Sequence, residues 1–175
     1  ANTMWNIRNF RKSLILALLS SGNEIIVLAP FDGYEDEVRS WGCKVFDLKM
    51  NPLELNPLKS LLLLGHFRNK LKFIQPDIIL SFTIKNNIFG SIAANFESIP
   101  LVPNITGLGT TFTSSKLLKA ITKILYRIAF INTEIIFFQN PDDKILFQNL
   151  GIVSSKQAFV LPGSGIDLAE FKFHK

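Results

Sequence analysis

Two periodicities take turns along this chain, and their alternation restricts it to very few folds. Apolar residues at Ile7, Phe10, Leu14, Ala17 and Leu18 recur at helical spacing and stop at Gly22, which predicts a helix over 6–21. The run EIIVLA at 24–29 is short, rich in branched side chains and bounded by Gly22-Asn23 and Pro30, as a buried strand would be. The same exchange continues to the end. Strands are predicted at 44–48, 77–82, 101–105, 134–138 and 158–161. Helices are predicted at 34–41, 58–74, 87–95, 115–131 and 141–150, with Gly42, Pro76 and Gly151 as terminators. Strands separated by helices imply right-handed crossovers and a parallel sheet covered on both faces. The expected fold is therefore α/β, a Rossmann-like doubly wound parallel sheet. Such a domain ordinarily opens with a strand. This chain goes from Ala1-Asn2-Thr3 directly into a helix, so the expectation is a domain without its first strand.

With 175 residues the chain is long enough for a core that needs no disulfide or metal. Its single cysteine, Cys43, excludes a disulfide framework within the chain, and two histidines, His66 and His174, argue against a histidine metal site, so no metal is expected. No apolar run approaches membrane-spanning length; the longest are 14–19 and 61–64. The N-terminus lacks the pattern of a signal peptide, which predicts a cytoplasmic protein. The net charge of +5 is unevenly spread. Residues 1–23, 56–75 and 113–133 contain no acid and together carry +11, leaving −6 elsewhere. Such segregation points to an anionic surface or ligand on one side.

In doubly wound sheets ligands bind beyond the carboxyl ends of the strands. That rule selects 2–5, 30–33, 83–87, 106–111 and 139–143. In Thr106-Gly107-Leu108-Gly109 the glycines allow backbone amides close to a ligand, although a tight strand-to-helix turn would need them equally. Lys85 follows a strand, where it could pair with phosphate or carboxylate or simply be solvated. Asn140-Pro141-Asp142-Asp143 is accounted for by helix capping. His66 and Cys43 read as a helical surface residue and a small buried side chain.

The helices at 58–74 and 115–131 say more. Lys116, Lys119, Lys123 and Arg127 recur every three or four residues beside Leu117, Leu118, Ile121, Ile124, Leu125 and Ile128. A basic amphipathic helix of this kind suits an anionic membrane surface, or else packs its apolar face on the sheet. Nucleic acid is not expected, since no helix-turn-helix, zinc or aromatic RNA-binding pattern is present.

Five segments, MWNIRNFRKSLILALLSSGNEIIVLAP, DIILSFTIKNNIFGSIAA, NITGLGTTF, FFQNPDDKILFQNLGI and LPGSGIDLAEF, resemble in order the N-terminal half of bacterial family 4 glycosyltransferases of the GT-B fold. These enzymes build capsular, O-antigen or lipid-linked oligosaccharides. The resemblance implies two Rossmann-like domains, of which 1–161 would be the acceptor side. Residues 162–167 (PGSGID) would open the hinge at 162–175 towards a donor-binding domain outside this sequence. It further implies that Asn2, Thr3, Lys85, Thr106, Gly107 and Gly109 line the cleft. Arg11 matches a recurrent position. No catalytic residue can be carried over, because the family's N-domain histidine is not found in the loop that here reads NITGLG.

The implied reaction is retaining transfer of a sugar, hexosyl or N-acetylhexosaminyl, from a nucleotide-sugar to a lipid-linked or polysaccharide acceptor. No cofactor or metal is implied, because helix dipoles and cations can stabilise the leaving diphosphate. The 58–74 and 115–131 helices would hold the protein at the inner membrane face. This half alone would be inactive. The alternative is a stand-alone membrane-recruitment subunit of a split glycosyltransferase. A sugar-nucleotide epimerase shares the frame, but its cleft carboxylate and histidine are not evident.

Overall fold

The computed structural model describes residues 1–51, 57–107 and 116–165, and the side chains of the second stretch from 62 onward. Gly109, Ser115, residues 166–167 and His174 lie outside the described residues, as does the side chain of Lys59. The chain forms two compact units, one of 1–50 with 162–175 and one of 51–161.

The first unit contains α1 (Met4–Ser20), β1 (Ile26–Ala29), α2 (Glu35–Ser40) and β2 (Lys44–Asp47). β1 and β2 pair in parallel, Ile26 opposite Lys44 through Ala29 opposite Asp47. α1 begins two residues earlier than its apolar spacing suggests. The reason is Thr3, whose hydroxyl accepts the Asn6 backbone N–H (3.0 Å) and so caps the helix. The helix also turns a different face to the core. Met4, Ile7 and Ile15 are buried with Val27, Ala29, Val38 and Cys43, whereas Phe10 and Leu14 are exposed. The second half of α1 is apolar almost all round, so spacing alone could not select its inner face.

The second unit contains α3 (Pro57–Ile74), β3 (Ile79–Phe82), a π-helical turn (Asn86–Gly90), α4 (Ser91–Glu97), β4 (Leu101–Ile105), α5 (Lys116–Ala129), β5 (Ile136–Phe138), α6 (Pro141–Asn149) and β6 (Ala158–Val160). Its four strands form a parallel sheet in the order β3-β4-β5-β6. The alternation read in the sequence is thus an α/β Rossmann-like arrangement. The core gathers Ile105, Tyr126, Phe130, Ile136, Phe138 and Phe147. Phe147 is the hub, edge-on to Tyr126 (5.0 Å) and to Phe138 (5.4 Å). The Asn140 side chain accepts the Asp143 N–H (2.7 Å) and starts α6, so the Asn-Pro-Asp-Asp motif is a helix start. Arg127 donates to the carbonyls of Leu150 and Gly151 (2.9 Å each), placing a cation at the negative end of α6.

Candidate functional site

In the second unit the carboxyl ends of three neighbouring strands come level, because Phe82 pairs with Asn104 and Ile105 with Phe138. Lys85 follows the first of these ends and Thr106-Gly107 the second, while Gln139 follows the third and donates its N–H to the Ile105 carbonyl (3.2 Å). Three of the six residues singled out in the sequence are therefore brought to one sheet edge.

Lys85 does not sit in a loop. It occupies the first helical turn after β3, with α-helical backbone angles, and its Nζ donates to the Asn51 carbonyl (2.7 Å). A cation in a first helical turn works against the helix dipole, so positive potential accumulates there. That is a local cost to folding and an attraction for anions. Gly107 has φ of 141°, a conformation open to glycine, and among the described residues a Cβ built there would meet nothing within 4 Å. Gly107 thus serves the exit from the strand.

The turn from β3 is held by polar groups that apolar periodicity could not reveal. Thr83 adopts a left-handed φ of 74°, unusual for a β-branched residue. The π-helical turn follows at once and carries two buried asparagines. Asn86 Nδ2 donates to the Phe82 carbonyl (3.1 Å) and to Thr83 Oγ1 (2.8 Å). Asn87 Nδ2 donates to the Asn104 carbonyl (2.9 Å), and its Oδ1 accepts from Ser81 Oγ (2.7 Å). Asn87 therefore ties the ends of β3 and β4 together. The one signal for it in the sequence is the asparagine pair that opens the mostly apolar stretch NNIFGSIAA. Replacing Asn87 with alanine would leave the Ser81 hydroxyl and the Asn104 carbonyl without these partners inside the core. A loss of about 1–3 kcal/mol in unfolding free energy is expected, read from the denaturation midpoint.

In the first unit Asn2 and Thr3 precede α1. The Thr3 hydroxyl is engaged as the cap and also accepts from Asn6 Nδ2 (3.1 Å). Asp32, not singled out in the sequence, receives the Trp5 N–H on its Oδ2 (3.0 Å), so a carboxylate occupies the first turn of α1. The Ala1 amine donates to the Leu28 carbonyl (3.3 Å), and its pKa is lowered to about 5, chiefly by burial and secondarily by Arg11. Arg11 Nη1 donates to Ser164 Oγ (2.8 Å), which fastens the turn-rich segment after β6 to α1. Burial pushes the Arg11 pKa down.

The alternating helices and parallel strands define a Rossmann-like α/β arrangement. Residues 7–140 match the glycosyl transferase 4-like family, and the chain belongs to that family. Over 171 residues it is 29% identical to the N,N'-diacetylbacillosaminyl-diphospho-undecaprenol alpha-1,3-N-acetylgalactosaminyltransferase of Campylobacter jejuni. The match covers 95% of this chain and 45% of that enzyme, so the chain spans about half the length of this curated relative. Among solved structures, Anabaena HepE in complex with UDP and glucose superimposes with a TM-score of 0.63 at 16% identity. That likeness covers 89% of this chain and 41% of HepE. Acinetobacter baumannii MurG gives 0.56 at 16% identity, covering 90% and 42% respectively. The UDP-GlcNAc 2-epimerase of Neisseria meningitidis gives 0.57 at 20% identity, covering 86% and 42%. These structures share the fold with this chain.

Proposed function

We propose that this chain is the acceptor-side half of a retaining glycosyltransferase that moves a sugar from a nucleotide-sugar donor to a lipid-linked or polysaccharide acceptor. The observation that carries this reading is Lys85. It is a cation in a first helical turn at a strand end, within a chain whose 29%-identical relative is named for a diphospho-undecaprenol substrate. Such a position attracts anions, and a diphosphate is the anion the proposed acceptor would bring. Lys85 would pair with phosphate oxygens, while the backbone at Thr106 and Gly107 would come close to the acceptor, a role the motif proposes for Gly109 as well. Asn2 and Thr3 would line the donor-facing side. Charge building on the leaving diphosphate would be met by fixed cations and helix dipoles, with no metal in the step. A lipid-linked acceptor places the work at the inner membrane face.

The natural full-length protein, given labelled nucleotide-sugars and a polyprenyl-diphosphate-linked glycan in detergent, is expected to yield a labelled lipid-linked product. Its new glycosidic bond should keep the donor's anomeric configuration by NMR. If the sugar-nucleotide is epimerised without any acceptor, the reading fails. Transfer that starts only when a second polypeptide is added would favour the split-enzyme alternative.

A further inference from the structure

We infer that one face of α5 is the surface by which this protein seats on an anionic bilayer, with the helix lying in the plane of the interface. The inference deepens the proposed function, from which it takes the presence of a membrane. The face itself is defined by exposure. Leu117, Ile121, Ile124 and Ile128 follow one another at intervals of four, three and four. At about 100° per residue they form a single stripe on the helix. They are between 45% and 72% exposed, and Ile131, just past the helix end, is exposed as well. The side turned to the core carries Thr122, Tyr126 and Ala129 instead. Of the apolar residues the sequence grouped on one side of this helix, Leu118 and Leu125 are half-buried, and Leu125 packs on the core. Packing on the sheet therefore leaves the branched stripe to the outside.

Charge selects the occupant. Lys116, Lys123 and Arg127 run along one edge of the stripe, Lys119 lies further round, and residues 113–133 contain no acid. Arg127 is held by the Leu150 and Gly151 carbonyls, so Lys116 and Lys123 are the cations that flank the stripe for a partner seated on it. A second copy of this helix would set like charges against each other, whereas an anionic leaflet satisfies the lysines and the isoleucines together. The helix lies on the membrane rather than through it; among the described residues no helix is long and apolar enough to cross one.

α3 provides the contrast. Its apolar residues Leu63, Phe67 and Leu71 are buried, and the exposed Leu62 and Phe73 are separated along their face by His66 and Asn69. Arg68 and Lys72 both approach Glu97, and Arg68 also stacks over Phe96 at 5.0 Å. Its basic character is partly consumed within the unit, so α5 rather than α3 meets the lipid.

The test uses the natural full-length protein and sedimentation with vesicles of phosphatidylglycerol and phosphatidylethanolamine. Binding is expected to fall at least tenfold in Ile121→Asp/Ile128→Asp, and similarly in Lys116→Glu/Lys123→Glu. Leu62→Asp on α3 should bind as the parent does. Transfer to a short-chain, water-soluble acceptor should persist in the α5 variants, which separates a failure of this inference from a failure of the proposed function. Should a variant not fold, an environment-sensitive fluorophore on Ile124→Cys gives an independent reading, with a blue shift expected on adding vesicles. Unchanged vesicle binding in both α5 variants, or no shift at position 124, would overturn the inference. So would a dimer that becomes monomeric in Ile121→Asp/Ile128→Asp and never binds vesicles, because a second copy would then be the occupant.

Discussion

Phe147→Ala is expected to lower the unfolding free energy by about 3–5 kcal/mol, seen as a lower denaturation midpoint at unchanged slope. Phe147 is fully buried on α6 and meets Tyr126 and Phe138 edge-on. Truncation removes the transfer free energy of a whole ring and leaves a cavity between a helix and a strand. It also takes away two aromatic contacts worth roughly 0.5–1.5 kcal/mol each beyond their area. The surroundings have little freedom to collapse, since Tyr126, Ile136 and Phe138 are themselves fully enclosed. Ile145→Ala is the control. It lies on the same helix but half exposed, and should change stability by no more than about 0.5 kcal/mol. A cost for Phe147→Ala below about 1 kcal/mol would mean that this cluster does not hold the sheet and α6 together.

The cluster was legible only in part. The runs EIIVLA, KVFDL, DIILSF and EIIFF each supply a strand, because a short branched apolar run between glycine or proline signals has few other ways to be buried. Asn140 was legible for an equally local reason, since a cap is satisfied within three residues. Thr3 obeys the same rule yet lies ahead of the first apolar position, so spacing placed the helix start too late. What escaped was everything whose partner is remote in the chain. Asn87 reaches the carbonyl of Asn104, Trp5 finds Asp32, and Arg127 finds Leu150 and Gly151. The inner face of α5 escaped for a different reason. Periodicity identifies an apolar stripe but does not say whether protein or something else will cover it. There the branched residues Ile121, Ile124 and Ile128 stay outside, while Thr122 goes in beside Tyr126 and Ala129.

On the proposed function, Lys85→Ala in the full-length protein is expected to reduce kcat/KM for a lipid-linked acceptor by about 10- to 150-fold, the equivalent of one charge-assisted hydrogen bond of roughly 1.5–3 kcal/mol. The fold should hardly respond. The contact from Nζ to the Asn51 carbonyl is exposed, and removing a cation from a first helical turn relieves an unfavourable interaction with the dipole. These two terms oppose each other, so the net change in stability should stay within about 0.5 kcal/mol. Lys85→Arg restores charge without the same reach and should recover part of the rate. Lys144→Ala, a change of equal charge elsewhere in the second unit, should leave the kinetics alone. The parent should also lose activity with added salt more steeply than Lys85→Ala, because the lost term is electrostatic. Unchanged acceptor kinetics in Lys85→Ala would remove this residue from the site. The strand-end edge would then have to bind its acceptor through Thr106 and the backbone at Gly107.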